Sequence, residues 1–146
     1  PMNLVVENTP KGKINDLWSR RQSTMFNGAS SISAEGGLAV LSKSGLKESK
    51  KLIAYYMDNA KKIKKSLLSL GFKVFGGENA PYIWLKAPDN LTSWEFFDKL
   101  LKETHVVVTP GSLFGSQGEG YVRLSTFADK KNVRKALKSI EQNLKF

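Results

Sequence analysis

A chain of 146 residues and 16.2 kDa, 40% apolar and 25% charged, is long enough for one ordinary globular domain with a real core. The absence of cysteine excludes a disulfide framework and a thiolate metal site, and no run approaches the ~18 apolar residues of a membrane span. The 23 Lys and Arg, mostly Lys, outnumber 13 acids for a net charge of +10, which raises nucleic acid as a partner, although base recognition favours Arg over Lys. The segment Pro1 to Glu7 lacks the basic start and apolar core of a signal peptide. The default compartment is therefore the cytosol, or an organelle lumen reached after a targeting sequence is removed.

Residues 1–16 are polar, contain Pro10 and Gly12, and read as a linker or chain end. Residues 17–45 read as a helical segment: Asp16 can cap a helix starting near Leu17, and the small apolar residues of Ile32 to Leu41 around Gly36-Gly37 suggest a buried, tightly packed helix. Ser44-Gly45 breaks that pattern. From Leu46 to Leu70, Leu52, Tyr56, Ile63, Leu67 and Leu70 recur at helical spacing, with Ile53 and Ala60 filling the stripe and Gly71 ending it. Lys61, Lys62, Lys64 and Lys65 fall inside this helix and read as a solvated face.

The period then changes. Phe72 to Phe75 is β-like, Gly76-Gly77 turns the chain, and Pro81 to Lys86 reads as a second strand. Ser93 caps a helix through Leu101, in which Glu95, Asp98 and, further on, Glu103 alternate with lysines as a solvated face. Val106 to Thr109 is a third strand stopped by Pro110-Gly111, and Tyr121 to Ser125 a fourth. Asp129 caps a final helix with Val133, Ala136, Leu137, Ile140 and Leu144 as its stripe. The fold class is α/β of the α+β kind: helices lead into a small sheet covered by helices, in the order α-α-β-β-α-β-β-α, with residues 46–146 as the compact domain.

Arg123 stands out chemically. Alternation puts it on the face opposite Val122 and Leu124. An Arg in an apolar strand needs an anion, and its fork suits a carboxylate. An internal salt bridge to Glu119 or Glu35, or exposure at a sheet edge, satisfies the same residue. The preceding loop holds Gly111, Gly115, Gly118 and Gly120, which do not fit a phosphate-loop pattern. Asn27-Gly28 is a turn signal, with Ser30, Ser31 and Ser33 available to cap the next helix. His105 is the only histidine and cannot build a histidine metal site, and no nucleophile motif is present.

The run T-P-G-S-L-F-G-S-Q-G-E-G-Y-V-R-L-S resembles the C-terminal signature of the class I/II aminotransferases of fold-type I, which use pyridoxal 5′-phosphate. F-N-G-A-S-S-I-S, G-G-E-N-A-P-Y-I-W-L-K and K-E-T-H-V-V-V-T-P-G resemble the branch of that family that acts on L,L-diaminopimelate in lysine biosynthesis. The resemblance runs from about Trp18 to the end. It implies that Arg123 grips a substrate carboxylate, that Asn27 reaches the partner subunit's site near cofactor phosphate and substrate, and that the enzyme is a homodimer acting on small dicarboxylate amino acids. It also implies that residues 17–45 join a large domain to the small domain 46–146, and that the location is cytoplasmic or plastid.

The family's Schiff-base lysine motif is absent; Ser42-Lys43-Ser44-Gly45 echoes it but follows F-N-G-A-S, where the family lysine precedes it. The resemblance therefore assigns this chain substrate orientation, with the cofactor lysine and the acid facing the pyridinium nitrogen upstream, and an isolated chain that is inactive. On this reading the Phe114-Gly115 loop brings backbone close to substrate, and G-G-E-N-A-P-Y positions the strands beside Arg123. The competing assignments are another class I/II aminotransferase of aspartate or aromatic type, and a basic nucleic-acid-binding α+β module.

Overall fold

A computed structural model describes residues 11–26, 28–88 and 91–145 of the chain. The chain divides into two units, the first ending at Leu46 and the second beginning at Lys47. The first holds helix α1 (Lys11–Met25), helix α2 (Ser31–Leu41) and the opening turn of α3 (Lys43–Ser69). The second holds the rest of α3, strands β1 (Val74–Gly76) and β2 (Tyr82–Lys86), helix α4 (Ser93–Thr104), strand β3 (Thr109–Pro110), two 3₁₀ turns (Gly111–Phe114 and Ser116–Gly118), strand β4 (Tyr121–Ser125) and helix α5 (Lys130–Asn143).

In the first unit, α1 starts at Lys11, so Asp16 lies within the helix and does not cap it. Gly12 apart, nothing between Lys11 and Asp16 opposes helix, so the helix extends back past the expected cap. The expected helical segment is two helices, with Ser30 capping α2 by accepting the Ser33 N–H at 3.3 Å. The expectation of a buried α2 fails: none of its residues is buried, and Ile32 is 84% exposed. A Cβ at Gly36 or Gly37 meets open space, so these glycines reflect no close approach among the described residues. The break between helices falls at Ser42, the C-cap of α2, and α3 runs through Ser44 and Gly45.

The second unit is built on a four-stranded antiparallel sheet in the order β1-β2-β4-β3. Its inner face presents Ile83, Leu85, Val122 and Leu124. Against them pack Ala60, Ile63 and Leu67 of α3, Phe96 and Leu100 of α4, and Val133 and Ile140 of α5. Each fully buried large side chain contributes about 1.5–3 kcal/mol from apolar burial. The stripe of α3 is buried only in its second half; Leu52 and Ile53, from the same stripe, are exposed. At its C-terminus Gly71 (φ 85°) receives the chain, with Phe72 N–H donating to Leu67 O and Gly71 N–H to Leu68 O, the paired bonds of a Schellman motif.

Helix α4 is capped by Thr92, one residue before the expected Ser93. The Thr92 hydroxyl accepts the Glu95 N–H, and the Glu95 carboxylate accepts the Thr92 N–H. Of the expected third strand, Val106 to Thr109, only Thr109 pairs with β4, and Pro110, expected to stop the strand, pairs as its second residue. Asp129 sits at the N-cap of α5 without a side-chain capping bond. Lys61, Lys62 and Lys65 are exposed, whereas Lys64 donates to Gly76 O at 3.0 Å and to Glu78 at 2.7 Å.

Candidate substrate-binding face

The outer face of the sheet carries the candidate site. Directly opposed residues of antiparallel strands point to the same side. Phe75 pairs with Trp84, Trp84 with Arg123, and Arg123 with Thr109, so these four form one row across the sheet. Val122 and Leu124 are buried beneath, as alternation requires, and Arg123 is half-buried on the open side.

Among the described residues of the second unit, no carboxylate pairs with Arg123 and no acceptor bonds its guanidinium. Two rings contact it instead: the guanidinium carbon lies 4.2 Å from the Phe114 ring centroid and 4.5 Å from that of Tyr82. The expected alternative partner Glu119 is engaged elsewhere. Its carboxylate accepts the N–H of Ser93 at 2.8 Å, at the start of α4, and of Gly120 at 3.2 Å. The Ser93 backbone bond foremost, then those from Gly120 and the Ser93 hydroxyl, hold its carboxyl below the usual range. Glu35 lies in the first unit.

The loop before β4 is shaped by its own backbone. Gly111 and Gly118 abut so closely that a Cβ on Gly111 would strike Gly118 O, and one on Gly118 would strike Gly111 O. Ser93 ties the loop to α4: its hydroxyl donates to Gly118 O at 3.3 Å and accepts the Gly120 N–H at 3.0 Å. These contacts account for two of the loop glycines by packing within the loop. They also set down Phe114, whose ring meets Trp84 edge-on at 5.3 Å. Beside it lies an open cleft of about 380 Å³ lined by Phe75, Trp84, Phe114, Gln117, Gly118 and Tyr121.

Asn27 lies outside the described residues. His105 ends α4 in the left-handed region (φ 57°) with its N–H donating to Leu101 O, a capping position. Tyr82 and Phe114, the neighbours of Arg123, were not legible as such; the signal available was aromatics on the sheet face that alternation assigns to Arg123. The cleft lining contains neither a lysine nor a carboxylate. Arg123 is not part of that lining either, and these residues do not fit a cofactor that needs an amine and an acid. Among the described residues no group of three metal-ligating side chains occurs, and no helix is long and apolar enough to cross a membrane.

The outer face thus presents Arg123 among aromatic rings, on a small antiparallel sheet backed by helices. The family model for aminotransferase class I and II matches residues 15–140, and the chain belongs to this family. It is 56% identical over 124 residues to an LL-diaminopimelate aminotransferase of Prochlorococcus marinus (strain NATL1A), covering 85% of this chain and 30% of that protein. Its structure is similar to that of L,L-diaminopimelate aminotransferase from Chlamydomonas reinhardtii, with a TM-score of 0.84 and 41% identity over 88% of this chain and 32% of the other. An aromatic aminotransferase from Pyrococcus horikoshii OT3 aligns with a TM-score of 0.67 and 32% identity, covering 71% of this chain and 28% of that one. The chain spans about a third of the length of the curated relatives it matches.

Proposed function

We propose that this chain is the substrate-carboxylate-binding part of a pyridoxal-phosphate-dependent aminotransferase that moves an amino group between glutamate and tetrahydrodipicolinate, giving L,L-diaminopimelate for lysine biosynthesis. The observation that carries this reading is Arg123, a guanidinium on an open face with no carboxylate of its own unit paired to it among the described residues. The identity to diaminopimelate aminotransferases, higher than to the aromatic enzyme, supports this substrate over other members of the family.

When bound, the cofactor supplies an electron sink. The part assigned to this chain is orientation. The Arg123 fork holds the substrate carboxylate bidentately and fixes the amino acid relative to the reacting centre. The net charge of +10 favours the approach of dicarboxylate substrates. Asn27 is assigned to the partner subunit's site in a homodimer. The lysine and acid that hold the cofactor belong to the remainder of a longer protein, working in the cytoplasm or a plastid.

The test grafts this chain in place of the matching segment of the Prochlorococcus marinus relative and introduces Arg123→Ala. Removing one partner of a hydrogen-bonded charge pair predicts a rise in KM for glutamate of about 100-fold or more, with slower turnover. Unchanged kinetics would overturn the assignment.

A further inference from the structure

We infer that Phe114 and Tyr82 are positioning residues that hold the Arg123 guanidinium ready for a carboxylate without neutralising it. This rests on the proposed role of Arg123. A long side chain that must bind an anion needs to be held in place, and the usual means is a neighbouring carboxylate. Such a neighbour would cancel the charge and compete with the substrate for the same N–H groups. Rings avoid both effects. An aromatic face attracts a cation through its quadrupole, whereas the guanidinium N–H donors lie in its plane, at the edge.

The geometry matches that division of labour. The guanidinium carbon lies over both rings, at 4.2 Å from Phe114 and 4.5 Å from Tyr82. Each ring is fixed by contacts independent of Arg123. Phe114 is set by the abutting Gly111 and Gly118 and packs edge-on against Trp84 at 5.3 Å. Tyr82 meets Phe127 edge-on at 5.5 Å, and Phe127 meets Tyr56 of α3 at 5.0 Å. The two aromatics thus carry the rigidity of the loop and of α3 to the guanidinium.

The test uses the same full-length graft in the Prochlorococcus marinus relative. Phe114→Leu and Tyr82→Leu should each raise KM for glutamate about fivefold to tenfold with kcat held within about twofold, the mark of lost ground-state binding. The conservative Phe114→Tyr and Tyr82→Phe should restore it. Where a leucine variant does not fold, pentafluorophenylalanine at position 114 keeps the ring's shape and reverses its quadrupole, and should give the same rise. In an Arg123→Ala background, Phe114→Leu should add nothing.

A KM unchanged by Phe114→Leu or by the fluorinated ring, with Arg123→Ala still damaging, overturns the positioning role and leaves the proposed function standing. An Arg123→Ala variant with normal KM overturns both.

Discussion

Gly111 and Gly118 lie back to back, each occupying the space that the other's missing Cβ would need. On Gly111 the obstacle is backbone on two sides, since Tyr121 O would also lie 2.7 Å from an added Cβ. Backbone cannot rotate aside as a side chain can, so the substitution must spread the loop. Gly111→Ala and Gly118→Ala should each lower stability by about 2–3 kcal/mol, as overpacking in a tight site does. Denaturant midpoints of the two variants measure this, and a change under about 0.5 kcal/mol in both would show that the contact is dispensable. Because the same loop presents Phe114, the role proposed for Arg123 predicts that both variants also raise KM for glutamate in the Prochlorococcus marinus graft.

Asn59 is a polar residue in the apolar stripe of α3, fully buried, and its amide donates to Thr126 O at 3.0 Å and Ala128 O at 2.8 Å. These bonds pin the segment after β4, and Phe127 with it, to α3. Asn59→Leu keeps the branching at Cγ in a somewhat larger side chain and removes both donors, leaving two carbonyls unpaired. Each buried unsatisfied group costs about 1–3 kcal/mol, so the variant should lose roughly 2–4 kcal/mol. Thermal unfolding is the direct measurement. An unchanged midpoint would mean that both carbonyls find other partners.

Helix α2 buries nothing, and Ile32, Leu38, Val40 and Leu41 are 84%, 66%, 51% and 70% exposed. Exposed apolar surface of this kind drives association. The chain expressed as it stands should self-associate in a concentration-dependent way, seen as a rising mass in light scattering. The paired change Ile32→Glu and Leu38→Glu should shift it towards the monomer. A monomer at all concentrations before any substitution would contradict this expectation.

Where sequence reading succeeded, it did so through local periodicity. Ala60, Ile63 and Leu67 were legible as core because 3.6-residue spacing marks one side of a helix. That spacing gives the side and not how far the partner extends, so it predicts Leu52 and Ile53 in the same stripe, where they are exposed. The start of α4 is legible to within one residue: Ser93 is the expected cap, whereas Thr92, three residues before Glu95, forms the capping box. Three valines before Thr109 promised a strand, but β-branched residues favour extended backbone without providing a paired neighbour, and Val107 is 72% exposed. The side on which Arg123 emerges followed from alternation. The rings that meet it did not, because Tyr82 lies far away in sequence and Phe114 is placed by a backbone contact between two glycines that no spacing rule reveals.

Asp58 joins α3 to α5. Its carboxylate lies 2.7 Å from Lys130 Nζ and 2.8 Å from Lys62 Nζ. The Lys62 contact is an i,i+4 pair, whereas the Lys130 contact spans two helices. The two ammonium groups, Lys130 first, hold the Asp58 carboxyl down at about 2, well below the usual aspartate range. A depressed carboxyl stabilises the fold fully above the unfolded value and loses that contribution as pH falls through the folded one. The loss therefore falls between about pH 4 and pH 2. Because Asp58 is well exposed, the contribution is small and screened by salt. Asp58→Asn should slightly lower stability at pH 7, with the two proteins converging through that window and becoming equal only below it. Urea titrations at stepped pH measure the convergence. A constant difference between the two proteins across the window would show that the effect of the substitution is not electrostatic.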